Sequence, residues 1–313
     1  MARPEFLLDK PGLRRQMTRR GNAAVASLAL SAPRPCRMSF LFSFRRPSKG
    51  GSPQECRPMA DASPAPAKTA SQPASGMPPL FGRVEPLDPA RHGGLRLDRA
   101  AGLGFAARAN AVPLSIVELP LAARHFPIVF ATGPLPMPLA VLGYRTGENL
   151  FVDEKGNWRA GTYLPAYLRA YPFIFLQAEG GTQLHLGIEP DAPALHTGSG
   201  DPLFEEGKPS TFLQEMLRFC SDYRASLEET QRFAEALKAA EVLEQQEARV
   251  EFRSGGSARL NGFLMMNPKR FEELPDETIL AWRKRHWLGA AYAVMHAGGS
   301  WSSVLDLAET KPA

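Results

Sequence analysis

Side chains able to do chemistry are sparse in this sequence. The six histidines are His92, His125, His185, His196, His286 and His296. No two of them stand at helical i+4 or strand i+2 spacing beside a carboxylate, the arrangement a zinc or iron site needs. The glycine doublets Gly180-Gly181, Gly255-Gly256 and Gly298-Gly299 lack the longer spacing of phosphate-cradling loops. No serine sits in a nucleophile elbow. Cys220 has no histidine near it in sequence and falls in a helical pattern, which predicts a buried, inert thiol.

Four side chains remain as ligand-binding candidates: Arg169, His185, His196 and Asp201. His185 and His196 flank the Glu189–Asp191 turn, so a fold can bring them together. Asp201 shares the loop Gly198–Gly207 with Glu205 and Glu206, a supply of oxygen ligands for a cation or a polar ligand. That loop lacks the alternating ligands of a calcium site. Arg169, beside Tyr171, offers an anion or aromatic site. Each has a blander reading, and the blander one is preferred. His185 reads as a partly exposed strand residue, and the acidic loop as a surface turn anchored by Leu203 and Phe204. Arg169 packs its stem and caps a helix C-terminus, and His296 is a core histidine of an apolar helix. No catalytic residue, metal or cofactor is assigned, and the balance is against an enzyme.

The elements that would position these groups follow from periodicity. Val112–Val117, Ile128–Phe130, Leu139–Tyr144, Asn149–Val152, Ile174–Leu176 and Gln183–Ile188 read as short strands. Leu119–His125 reads as a helical turn or two. The densest punctuation is Gly147–Phe175: a strand, the turn Asp153–Gly156, then Trp158 and a short helix Tyr163–Tyr171 broken early by Pro165. It reads as the hub of the fold, with Trp158 in the core. One long amphipathic helix follows, with Leu213, Met216, Leu217, Cys220, Tyr223, Leu227, Ala234 and Leu237 at i+3/i+4 spacing and a capping box at Thr211–Gln214. A hairpin is predicted around Ser254–Ser257. Short helices close the chain over Pro268–Leu274, Asp276–Arg285, Trp287–His296 and Ser302–Glu309. Strands first and helices later predict an α+β fold, a mainly antiparallel sheet packed by one long helix and several short ones.

Charge divides the 313 residues unevenly. Residues 1–76 hold thirteen Lys and Arg against four Asp and Glu, leaving 24 basic and 28 acidic residues in the remainder. The overall net charge of +5 is therefore a property of the leader, and nucleic acid is not expected as a partner. Two parts are expected: a basic Pro/Ser/Ala-rich leader and linker over 1–79, and a single domain over 80–309. Arg14, Arg15, Arg19 and Arg20 before Ala23–Leu30 imitate a signal peptide without a clean cleavage site. The preferred reading is a disordered leader or a translation start assigned too early, and hence a cytoplasmic protein. Three cysteines, two of them in the leader, make no disulfide framework. No apolar run reaches the roughly 18 residues a spanning helix requires, which excludes a permease.

Several motifs in the second part form a recognisable series. They are His125-Phe126-Pro127-Ile128-Val129-Phe130, then Gly147-Glu148-Asn149-Leu150-Phe151-Val152-Asp153 with Gly156 and Trp158. Pro165-Ala166-Tyr167-Leu168-Arg169, Tyr171-Pro172-Phe173 and Gly200-Asp201-Pro202-Leu203-Phe204 complete it. In order and spacing, residues 111 to 307 or so resemble the bacterial SapC family, named for a protein associated with a paracrystalline surface layer. Ala170 stands where the family often has a second basic residue, and His286 where it often has a glycine. The resemblance implies a non-catalytic accessory or structural factor linked to the cell surface, with a surface-layer or other envelope protein as partner. It carries over no catalytic residue. The alternative is a soluble enzyme or small-ligand-binding protein with a polar site near the 185–207 loop.

Overall fold

In a computed structural model the described residues are 78–177, 184–251 and 257–310. The architecture is α+β, built from helices and several small antiparallel sheets. The turn of the predicted hairpin lies outside the described residues.

The chain opens with β1 (Glu85–Pro86), α1 (Pro89–His92) and β2 (Arg96–Leu97), then β3 (Ala111–Pro113) and α2 (Leu119–Ala122). The hairpin β4 (Ile128–Ala131) and β5 (Pro138–Val141) follows, then α3 (Ala166–Ala170), β6 (Phe173–Gln177) and β7 (Leu184–Ile188). Four two-residue strands lie in and beside the acidic loop: β8 (Leu195–His196), β9 (Asp201–Pro202), β10 (Phe204–Glu205) and β11 (Lys208–Pro209). The long helix α4 (Thr211–Ala239) leads into β12 (Leu243–Glu251) and β13 (Ser257–Met266). Helices α5 (Pro268–Glu272), α6 (Asp276–Lys284), α7 (Trp287–His296) and α8 (Ser300–Thr310) end the chain.

The main sheet has five strands in the order β12-β13-β4-β5-β3, and β1-β7-β6 and β8-β2-β9 form two smaller ones. The centre of the main sheet is apolar on both faces: Ile128, Val129 and Phe130 of β4 are all buried. β-branched and aromatic side chains suit such a strand. Pro138 opens β5, a strand-start position that proline tolerates. Between β12 and β13 the register slips after Gln246, because β13 spends an extra residue there. Gly262 adopts the positive φ of 77° that such a bulge calls for.

Helix α4 spans 29 residues, roughly 43 Å at the usual rise, and crosses two cores. Its first half contributes Leu213 and Cys220 to a small core with Phe173, Leu186, Ile188, Leu203 and Phe204. The second half contributes Phe233 and Leu237 to a large core with β4, Trp282, Trp287 and Trp301. Between them, fully buried Thr230 accepts a hydrogen bond from the Ile116 N–H at 2.8 Å and donates to the Ser226 carbonyl at 2.6 Å. The helix starts one residue before the expected capping box. Ser210 is the N-cap, its Oγ accepting from the Leu213 N–H at 3.1 Å.

Three other expectations are corrected. Asn149–Val152 is not a strand, because Asn149 Oδ1 accepts from the Phe151 N–H at 2.9 Å and so bends its own backbone. Val152 forms an isolated antiparallel bridge with Trp158 instead. Val112–Val117 is strand only as far as Pro113, since Ser115 and Glu118 form a capping box that starts a 3-10 turn over Ile116–Glu118. His296 is exposed on α7 rather than held in the core.

Gly147–Phe175 does act as a hub. Asn149, 0% exposed, donates from Nδ2 to the Ala106 carbonyl at 2.9 Å. Gly156 takes φ +80°, and its carbonyl accepts from the Leu103 N–H at 2.6 Å. A Cβ at Gly156 would lie 3.1 Å from the Gly104 nitrogen, so backbone meets backbone here. Trp158 is half-buried, stacked on Phe151 at 5.7 Å and edge-on to Phe126 at 6.3 Å.

Candidate functional site

Strand β2 gathers the acidic loop. Arg96 pairs with His196 of β8 on one side and with Pro202 of β9 on the other, and Leu97 pairs with Asp201. His196 and Asp201 therefore flank one two-residue strand. Arg99, just beyond it, donates from Nε to Asp201 Oδ2 at 2.5 Å and lies over the Phe212 ring at 5.1 Å. Arg96 Nε donates to the Gly200 carbonyl at 2.9 Å, tying the loop down.

The His196 ring is already oriented. Its Nδ1 accepts from the Gly198 N–H at 3.0 Å, so the proton of the neutral ring sits on Nε2, which faces Asp98 Oδ2 at 3.9 Å. Asp98 uses its other oxygen to cap a 3-10 turn, accepting from the Ala100 N–H at 2.8 Å. The arrangement holds the loop to β2 and leaves the imidazole no lone pair with which to take a proton from a ligand.

Arg169 lies at the end of α3. Its guanidinium covers the Phe219 ring at 5.0 Å and approaches the Tyr163 hydroxyl at 3.5 Å. Phe212 and Phe219 are seven residues apart on α4, two helical turns, so Arg99 and Arg169 sit along one helix face. His185 is elsewhere. It pairs with Leu176 on the face of the β1-β7-β6 sheet opposite Leu186, and it is exposed. Two of the four candidates thus share β2, a third shares the α4 face through its phenylalanine, and His185 stands apart.

Among the described residues Glu118 is densely connected, though periodicity and motif spacing passed it over. Its side chain is 3% exposed. Oε2 accepts from the Ser115 N–H at 2.9 Å and the Ser115 hydroxyl at 2.7 Å. Oε1 accepts from the Tyr163 hydroxyl at 3.0 Å and the Ala166 N–H at 2.6 Å. Four donors on one buried carboxylate join the 3-10 turn to α3, across 48 residues of sequence. The signal was present as Ser115-x-x-Glu118, a helix-start pattern inside a stretch that otherwise reads as strand. Burial, then the charge and hydrogen bond of Glu118, push the Tyr163 hydroxyl up to about 12.

A second overlooked pair is His92 with Glu85. Buried His92 reaches Glu85 Oε1 through Nε2 at 2.9 Å, while Nδ1 accepts from the Asp88 N–H at 3.0 Å. The His92 hydrogen bond, helped by Arg91, holds the Glu85 carboxyl below its ordinary value. The Cys220 thiol is pushed up to about 12 by burial and stays protonated, the inert thiol expected.

Among the described residues no group of three His, Cys, Asp or Glu side chains is placed to hold a metal ion. Among them, too, no helix is long and apolar enough to cross a membrane. Neither the curated proteins nor the solved structures contain a match to this chain. One family model does match, that of SapC, over residues 87–304. The matched span runs from just after β1 into α8 and includes Glu118, Arg169, His196, Asp201 and the whole of α4. The chain belongs to the SapC family.

Proposed function

We propose that this protein is a non-catalytic accessory or structural factor linked to the bacterial cell surface, the role its family's name indicates. One observation supports it above the rest. The polar side chains that could have done chemistry are committed to holding the fold: Asp201 to Arg99, His196 to the Gly198 backbone, and Glu118 to four donors. A group whose lone pairs are filled by fixed partners is poorly suited to exchanging protons or ligands. What such a chain can still offer is surface, and its partner is a surface-layer or other envelope protein. Fractionation of the native host with an antibody to this chain tests the reading. Co-sedimentation with the envelope or surface layer is expected, and recovery in the cytosol alone would sink it.

The second reading is a soluble enzyme or small-ligand-binding protein whose site involves Arg169, His185, His196 and Asp201. In its favour, His196, Asp201 and Arg99 meet around β2. Metal analysis of the purified protein, with thermal shifts against sugars, peptides and cofactors, separates it from the first. A shift that Asp201→Asn abolishes would favour a ligand site there.

A further inference from the structure

A cleft of about 300 Å³ lies where the end of α4 meets the main sheet. Its lining is Gly133 and Pro136 of the β4–β5 turn, Lys238 and Glu241 at the end of α4, Leu243 of β12, Leu264 of β13, and Arg270 of α5. The volume falls at the lower end of small-molecule sites. Leu243 and Leu264 are half-buried and supply an apolar floor, and buried Pro136 supplies a wall.

The rim is charged and fixed in place. Lys238 Nζ donates to the Pro134 carbonyl at 2.7 Å, and Arg270 Nη1 donates to the Glu241 carbonyl at 2.9 Å. Each bond uses one donor and leaves others, two on the ammonium and four on the guanidinium, for a ligand. The wall between them is the C-terminal turn of α4. The Val242 N–H bonds to the Leu237 carbonyl at 3.3 Å and the Glu241 N–H to the Lys238 carbonyl at 3.1 Å, which is a Schellman ending. Its left-handed position, where glycine is favoured, is held by Glu241 at φ +54°. A non-glycine residue in that conformation beside a cleft is an outlier of the kind that gathers at binding sites.

We propose that this cleft binds a small organic acid: a single carboxylate on Lys238 and Arg270, with a short apolar body on Leu243, Leu264 and Pro136. Two cations against one carboxylate leave the rim with one net positive charge, which suits a monoanion. The guanidinium offers the paired donors that a carboxylate accepts best. The site is separate from the 185–207 loop and stands whether or not the surface-linked role does.

Ligand-observed NMR on the full chain tests it, with hexanoate as probe and hexanamide as its uncharged counterpart. Hexanoate is expected to saturate with a Kd on the order of 1 mM, with hexanamide at least about tenfold weaker. Raising the salt concentration weakens the hexanoate signal in the wild-type protein. Lys238→Gln/Arg270→Gln loses hexanoate by about tenfold or more, whereas Arg259→Gln, outside the cleft, binds as the wild type does. Should the double variant fail to fold, Glu241→Gln takes its place and is expected to tighten binding, because it removes the only like charge on the rim. Equal binding of hexanamide, indifference to salt, or unchanged binding in these variants overturns the proposal. A peptide ending in a free leucine carboxylate then identifies the source. Tighter binding than hexanoate, lost on amidation, means the site takes a chain end, and weaker binding means a free acid.

Discussion

The two halves of α4 are built to different standards. Its second half is enclosed, with Phe233 edge-on to Trp282 and Trp287 at 6.3 and 5.7 Å under the C-terminal helices. Its first half is only partly covered: Phe212 and Phe219 are half-buried, each with an arginine head over its ring. The enclosed half gains from ring packing and excluded water, terms that are costly to remove. The roofed half gains from cation–π contact and partly screened charge, each worth about 1 kcal/mol or less at exposed sites. The difference teaches where tolerance lies. The arginine-roofed half is the more tolerant of the two.

A series of substitutions sharpens or breaks that contrast, from the largest effect to the smallest. Trp301 is 1% exposed, stacked with Tyr144 and tilted against Phe263, and its carbonyl accepts the Tyr144 hydroxyl at 2.8 Å. Trp301→Ala is expected to cost about 3–5 kcal/mol in denaturant unfolding, and a loss below about 1 kcal/mol would mean the large core is not the tighter one. Trp158→Ala removes a half-buried ring and should cost less than Trp301→Ala, about 2–3 kcal/mol. A melting temperature equal to wild type would make Trp158 a contact residue instead.

Glu118→Gln leaves the site its volume but turns one acceptor into a donor facing two donors. A loss of about 1.5–3 kcal/mol is expected, with hydrogen exchange at Ala166 accelerated. Tyr163, beside it, has a folded pKa raised above the unfolded value. It therefore contributes stability that is complete below pH 10 and fades as pH climbs toward 12. Tyr163→Phe should flatten that alkaline limb, and an unchanged limb would mean other tyrosines carry it. The smallest effect belongs to the roof: Arg99→Ala and Arg169→Ala should each cost about 1 kcal/mol or less in thermal unfolding. A cost near that of Trp301→Ala would erase the distinction between the halves.

The acid side runs the other way. Glu85 has a folded pKa below its ordinary value, so its contribution is present at neutral pH and is lost as pH falls through that lowered pKa. His92→Gln should weaken the acid sensitivity of α1, read as hydrogen exchange at His92 and neighbouring amides between pH 3 and 6.

Much of the fold was legible because the large side chains announce their elements. Leu213 through Leu237 marked α4, and the apolar spacing of Trp287–His296 marked α7 to the residue. What stayed hidden was set by polar groups acting at a distance or on their own backbone. Asn149 turned an apparent strand into a loop, and Glu118 ended another by reaching back to Ser115 and across to Ala166. The first half of β12 was missed because Glu244, Gln245, Gln246 and Glu247 carry little apolar signal. Of the candidate site, sequence gave His196 and Asp201 as neighbours along the chain, but only β2, about a hundred residues earlier, explains why they flank one strand. His185 failed to join them because strand alternation put it on the far face of its sheet.

The slipped register between β12 and β13 has a bearing on assembly. β12 is the outermost strand on its side of the main sheet, nine residues long, and a flat edge of that length invites a strand from another molecule. This one is guarded. The irregularity after Gln246 twists it, and Glu244 and Glu247 set negative charge along it, Glu247 paired to Arg259 at 2.8 Å. Polymerisation by sheet extension is thereby discouraged on this side.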